Sequence, residues 1–194
     1  MASIYNIRFF NRHTDFCLAC ENTCYNFAMK SYSLIIADVH LHPDDTHPIN
    51  HAFYAFLDTE ASQADALYIL GDLFEMWVGD DIGLEQYKTV VKLFAELTSS
   101  GLPIYLLFGN RDFLMRKAFW QATGINPIYE PYPLTLHGHK LLMLHGDSLC
   151  TDDKDYQRAR KVLRNPVVMW LFLNFQPTPN DFWSNESSLF LLKK

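Results

Sequence analysis

Four short polar clusters carry the residue types that could do chemistry: Asp38-Val39-His40, Gly71-Asp72, Gly109-Asn110-Arg111-Asp112 and His145-Gly146-Asp147. Carboxylate, imidazole and amide oxygen are hard-to-borderline donors, the set that suits Mn²⁺, Fe²⁺ or Zn²⁺. Asp38 and His40 lie two apart, so an extended backbone points both side chains to one face. The glycines before Asp72 and Asn110 let the chain turn sharply beside such ligands. Taken singly, an aspartate after a strand is usually a helix cap, and a histidine is usually structural. Arg111 alone is more often a surface ion pair than a phosphate clamp. The clusters follow one another at intervals of about one strand-helix-strand unit, roughly 30 residues or more, which makes coincidence a poor explanation.

Each cluster must be carried by an element that ends at it. Ser33–Ala37, Ala66–Leu70, Pro103–Phe108 and Lys140–Leu144 are short apolar runs that read as buried strands. Ligands bind just beyond the carboxyl ends of strands in a layered α/β fold, so the clusters can converge there. Leu84–Ser100 carries a helical stripe of Leu84, Tyr87, Val91, Phe94 and Leu97, ended by Gly101 and Pro103. Asn50–Gln63 is a weaker helical candidate. Leu134–Leu136 and Lys140–Leu144 flank His137-Gly138-His139 as a hairpin would flank its turn. After Asp152 the pattern is helical through Arg164, and Pro166 breaks it. The expected class is α/β with a layered sheet.

The 194 residues suffice for one domain with a substantial core. The formal net charge of −6 argues against a nucleic-acid surface. An acidic chain that handles phosphate needs something else to attract it, and bound divalent metals are the usual answer. The longest apolar run, Val167 to Leu173, is too short to cross a bilayer. Cys17, Cys20 and Cys24 crowd together, but Cys150 is far along the chain. Reduced thiols of a cytosolic protein fit that spacing better than a structural zinc site.

D-x-H, G-D, G-N-x-D and H-G-D, in that order, resemble the calcineurin-like metallophosphoesterases. The resemblance implies a layered β-sandwich flanked by helices (αββα) and two divalent metals, Mn²⁺ foremost. It implies that Asp72 bridges both ions, with Asp38 and His40 on one and Asn110 and His145 on the other. Asp72, Asn110 and His145 would be the catalytic set. The longer strings Tyr68–Asp81, Gly109–Leu114 and His145–Asp153, with Tyr156 beyond, are similar to a narrower branch of that family. That branch hydrolyses a lipid-linked nucleotide sugar, UDP-2,3-diacylglucosamine, in lipid A synthesis on the cytoplasmic face of the inner membrane. Carried over, Asn110, Arg111, Asp153 and Tyr156 would contact the substrate, and the products would be UMP and 2,3-diacylglucosamine 1-phosphate. Val167–Leu173 reads either as a core helix or as part of a helical lid that shelters acyl chains and touches the membrane. Its place in the chain favours the lid.

The chain departs from the family pattern late. No G-H-x-H motif follows His145, and no histidine follows it at all. The simplest expectation is a truncated or frameshifted copy that diverges near Asn174, lacks the C-terminal strands and keeps one imidazole fewer per metal. The alternatives are a catalytically impaired fragment, or a phosphodiesterase or nucleotidase acting on a soluble substrate. The Trp77–Asp81 and Cys150–Tyr156 strings argue against the soluble substrate. His137-Gly138-His139 is rejected as a replacement, because a hairpin tip does not fold back onto the far end of its own strand. The expected organisation is an extension over 1–28, either disordered or upstream of a natural start at Met29. A metallophosphoesterase domain over 29–174 follows, including the start of the lid, and then a divergent tail over 175–194.

Overall fold

The computed structural model of the chain describes residues 32–174. The expectations for residues 1–28 and 175–194, the clustered cysteines among them, lie outside those residues.

All four predicted strands form where the apolar runs place them, three of them in one sheet. β1 (Ser33–Ile36), β2 (Ala66–Ile69) and β3 (Ile104–Leu107) lie side by side in parallel. Successive side chains alternate between two buried faces. Leu34, Ile36, Leu67, Ile69, Ile104 and Leu106 point into one core cluster. Helices α1 (Pro48–Thr59), α3 (Lys88–Ser99) and α4 (Lys117–Thr123) cover that face with Phe53, Leu57, Val90, Phe94 and Phe119. Ile35, Tyr68 and Leu107 point the other way, against an antiparallel hairpin. Its strands are β5 (Tyr132–Leu136) and β6 (His139–Met143), with Leu134 opposite Leu141 and Tyr132 opposite Met143. The result is the mixed α/β layering that the alternation of elements predicts, with helices on one face of a parallel sheet.

The fourth run forms a strand as expected, but one that is largely exposed rather than buried. Lys140–Leu144 becomes β6 of the expected hairpin, in the second sheet, with Leu142 59% exposed. The fourth parallel strand is β4 (Asn126–Ile128), which pairs with β3. Its Asn-Pro-Ile sequence has no periodic signal, and Pro127 is tolerated because β4 is the edge of the sheet. α4 is likewise too short to show a period.

Leu84–Ser100 is not one helix. α2 (Asp80–Gln86) ends at Tyr87, and α3 starts directly after it. Tyr87 is buried, donates its hydroxyl to Met76 O at 3.1 Å, and packs its ring on Phe74 and Trp77. That anchoring turns the chain although the apolar stripe runs on. Pro166 opens a further helix, α6 (Pro166–Asn174), besides ending α5 (Lys154–Leu163). A proline is compatible with a first helical turn, whose N–H would have no partner.

The hairpin turn is as predicted, with positive φ at His137 and Gly138. His137 Nε2 lies 3.1 Å from Ser33 Oγ, at the start of β1. The tip is therefore at the opposite end of β1 from Asp38, as the rejection of His137 and His139 as ligands requires.

Candidate metal centre

Beyond their last residues, β1 and β2 run on as two paired loops. Leu70 N donates to Ile36 O, Asp38 N to Gly71 O, His40 N to Asp72 O and Leu41 N to Leu73 O, at 2.8, 3.2, 3.1 and 2.9 Å. Within this ladder Asp38, His40 and Asp72 have φ of 54°, 54° and 52°. The extended backbone expected for Asp38-Val39-His40 is thus wrong, since both residues are left-handed. Non-glycine residues in that region are uncommon and concentrate at functional sites, where surrounding bonds hold them.

The turns gather the side chains. Ligand atoms of Asp38, Asp72 and His145 all lie within 4.8 Å of one another. His40 Nε2 is 3.9 Å from both Asp38 Oδ1 and Asp72 Oδ2. His145 Nε2 is 3.8 Å from Asp72 Oδ1. Asp72, buried to 5% exposure, therefore has one imidazole beside each carboxylate oxygen.

Both rings are oriented from behind. His145 Nδ1 is 2.8 Å from Leu70 O, and a carbonyl can only accept, so Nδ1 carries the proton. His40 Nδ1 is 3.3 Å from Glu75 Oε2. Each arrangement turns the lone pair of Nε2 towards Asp72, as metal-ligating histidines are commonly held. Oxygen and imidazole donors aimed at one point fit a divalent cation.

Asp112 supports this corner from below. It is fully buried and accepts from Gly109 N at 2.6 Å and Leu73 N at 3.0 Å. Burial, and next the Asp72 carboxylate, push its carboxyl up to about 7. Arg111 donates its backbone N–H to Asp72 Oδ1 at 3.1 Å, and its guanidinium pairs with Glu75 Oε1 at 2.6 Å.

The family model for calcineurin-like phosphoesterases matches residues 33–190. The chain belongs to this family. Proteins named UDP-2,3-diacylglucosamine hydrolase from Yersinia pseudotuberculosis serotype O:1b (strain IP 31758) and Yersinia pestis bv. Antiqua (strain Angola) are similar to it. Each is 47% identical over 141 residues, which are 73% of this chain and 58% of the relative. The chain thus spans less than two thirds of the length of the curated relatives it matches. Among solved structures, the Pseudomonas putida nuclease MPE is similar over 53% of this chain and 50% of its own, at 24% identity and a TM-score of 0.40.

Asp38, His40, Asp72, Arg111 and His145 come together at one corner of the fold. Asn110 is exposed and stands near Tyr156. Tyr156 donates its hydroxyl to Asp147 Oδ2 at 3.0 Å. Asp153 is exposed at the head of α5, where it accepts from Tyr156 N at 2.9 Å as a helix cap. The Trp77–Asp81 string is architectural. Trp77 is buried, and Asp80 accepts from Trp77 Nε1, Arg116 N and Phe119 N, tying α2 to the start of α4. These residues report on the fold more directly than on a substrate.

Four partners escaped the sequence reading: Glu75, Asp112, Glu130 and Asp147. Asp112 and Asp147 stand inside the G-N-R-D and H-G-D motifs, so their place was signalled although their role was not. Burial pushes the Asp147 carboxyl up, but hydrogen bonding from Arg160 and the Arg164 charge hold it below its ordinary value. Glu130 accepts from His145 N at 3.2 Å, and nothing around it in the sequence marks it.

Proposed function

We propose that this chain carries a two-metal hydrolase site for UDP-2,3-diacylglucosamine, releasing UMP and 2,3-diacylglucosamine 1-phosphate. The observation that carries the reading is the Asp72 carboxylate with an imidazole beside each oxygen. It is supported by relatives named for that substrate. Asp38 and His40 would hold one ion and Asn110 and His145 the other, with Asp72 shared; Mn²⁺ is the first candidate. Two divalent ions supply an activated water and positive charge for the phosphoryl oxygens. Arg111, held over Asp72 by Glu75, presents a further cation to the phosphates. Asn110, Arg111, Asp153 and Tyr156 are the proposed substrate contacts.

A cavity of about 830 Å³ beside the site suits a substrate that is part lipid and part phosphate. Phe108, Phe113, Trp120 and Met169 line it together with Arg116 and Arg160. Apolar walls with a few cations match acyl chains joined to a charged head. We also propose that residues 29–174 form the catalytic domain and that α5 and α6 begin its lid. Val167, Trp170 and Leu171 on α6 are 64%, 58% and 45% exposed, which favours peripheral contact with the cytoplasmic face of the inner membrane. No helix among the described residues is long and apolar enough to cross a membrane.

The test compares UMP release from UDP-2,3-diacylglucosamine with turnover of bis-p-nitrophenyl phosphate at the same Mn²⁺ concentration. Preference for the lipid substrate is expected. Turnover of the soluble diester with none of the lipid would overturn the assignment and favour a soluble phosphodiesterase.

A further inference from the structure

Helix α5 has no buried residue, so apolar packing does not hold it on the domain. What holds it is a polar stripe that faces one carboxylate. Tyr156, Arg160 and Arg164 recur every four residues, which places them on one side of the helix. All three reach Asp147. Tyr156 Oη lies 3.0 Å, Arg160 Nε 2.8 Å and Arg164 Nη2 3.2 Å from Asp147 Oδ2. Gln157 adds a bond to the Asp147 carbonyl at 2.8 Å. The Asp147 side chain is only 6% exposed. A carboxylate with that many charged donors around it is held far more strongly than a surface pair.

The same helix residues also reach the site. Arg160 Nη2 donates to Glu130 Oε1 at 2.8 Å, and the other oxygen of Glu130 accepts from His145 N. Arg164 Nη2 donates to Gly109 O at 3.0 Å, next to Asn110. The Tyr156 ring stands near Asn110 as well. Two of the proposed metal-binding residues, Asn110 and His145, are therefore braced by α5 or by its partners.

We propose, on the metal-hydrolase reading above, that Asp147 is a positioning residue. Its buried carboxylate pins one face of α5 to the domain, and through Arg160–Glu130 and Arg164–Gly109 that docking sets His145 and Asn110. The carboxylate is the one partner that Tyr156, Arg160 and Arg164 share, alongside the separate bonds of Arg160 to Glu130 and Arg164 to Gly109 O. Loss of its charge leaves Arg160 and Arg164 with no common partner, and α5 has no apolar face to hold it in place.

The test is amide hydrogen exchange on the full chain read by mass spectrometry, with Mn²⁺ affinity measured by calorimetry. Asp147→Asn keeps the side chain's size and removes its charge. Peptides from residues 154–164 should exchange at least about tenfold faster while β2 and β3 peptides are unchanged, because local opening is read separately from global unfolding. Mn²⁺ affinity should fall about tenfold, the usual scale for losing support behind a ligand. Arg160→Lys should resemble Asp147→Asn, since an ammonium cannot meet both carboxylates as a planar fork does. Arg158→Ala, which removes a solvent-facing pair with Asp155, should match wild type in both measurements. If Asp147→Asn speeds exchange everywhere, Glu130→Gln becomes the deciding variant, with faster exchange of 154–164 and weaker Mn²⁺ binding expected. Unchanged exchange of 154–164 in the deciding variant overturns the pin. Faster exchange with unaltered Mn²⁺ affinity overturns its link to the site. A wild-type chain that takes up no Mn²⁺ counts against the metal centre itself, while the exchange data still decide the pin.

Discussion

A Cβ placed on Gly109 would stand 2.1 Å from Asp72 Oδ1 and 2.4 Å from its backbone nitrogen. The loop after β3 can lie this close to the loop after β2 only because residue 109 has no side chain. Contact at that distance is far inside van der Waals range, and both sides of it are backbone or pinned carboxylate. Gly109→Ala should therefore push Asp72 out of place. The expected result is a stability loss of about 1–3 kcal/mol, the range for overpacking a tight interior. Mn²⁺ affinity should drop by at least about tenfold beside it. Chemical denaturation and calorimetry on the same preparation read both. A variant with wild-type Mn²⁺ affinity would show that Asp72 need not sit where Gly109 allows it.

Asp72 itself should be indispensable for metal. Asp72→Ala is expected to abolish specific Mn²⁺ binding, because both oxygens of the bridging candidate disappear. Alanine is also strained at φ 52°, so Asp72→Asn is the cleaner partner variant, asparagine being one of the few residues that visits this region readily. It should keep the fold and still bind Mn²⁺ far more weakly. Calorimetry decides, and undiminished binding in Asp72→Asn removes Asp72 from the shared position.

The legible part of this protein was its chemistry and its longest periodic elements. Asp38, His40, Asp72 and His145 could be placed at one site because each follows an apolar run, and parallel strands deliver their carboxyl ends to one edge. His145 reaches that edge from the second sheet, at the end of β6, which is mostly exposed although the apolar run Lys140–Leu144 reads as a buried strand. Other features carried no sequence signal because they are made by tertiary contact. The break at Tyr87 comes from packing against Phe74 and Trp77 while the apolar stripe continues. The left-handed turns at Asp38 and His40 come from the backbone ladder with the β2 loop. Glu130 meets His145 across the base of the hairpin, 15 residues on, and nothing beside it in the sequence marks it for that contact.

Asp80 should matter to stability and not to metal. Its carboxylate accepts from Trp77 Nε1 at 3.1 Å, Arg116 N at 2.9 Å and Phe119 N at 3.0 Å. Asp80→Ala leaves these donors without their partner, at an expected cost of about 2 kcal/mol or more. Mn²⁺ affinity should stay within about twofold of wild type, since changes without shared partners are close to independent. Urea denaturation and calorimetry separate the two effects. A large fall in metal affinity with stability intact would mean that the Trp77–Asp81 string serves the site directly.

The exposed apolar side chains of α6 give the membrane reading its own test. Val167 and Leu171 are four residues apart, so they lie on one side of the helix, and they are 64% and 45% exposed. Burying a large apolar side chain in hydrocarbon is worth about 1.5–3 kcal/mol, so two of them account for a strong partition onto lipid. Val167→Glu with Leu171→Glu removes that gain and adds charges that resist leaving water. Sedimentation with vesicles of phosphatidylglycerol and phosphatidylethanolamine should capture the wild-type chain and lose at least about tenfold of the bound fraction's affinity in the double variant. Thermal stability should be nearly unchanged, because exposed positions make few packing contacts to lose. Raising the salt should weaken wild-type binding only in part, since basic α5 residues such as Arg158 and Lys161 contribute through the anionic lipid while the apolar pair does not depend on ionic strength. Equal capture of wild type and double variant would move the lipid contact off α6, and no capture of either would remove peripheral membrane contact from the reading.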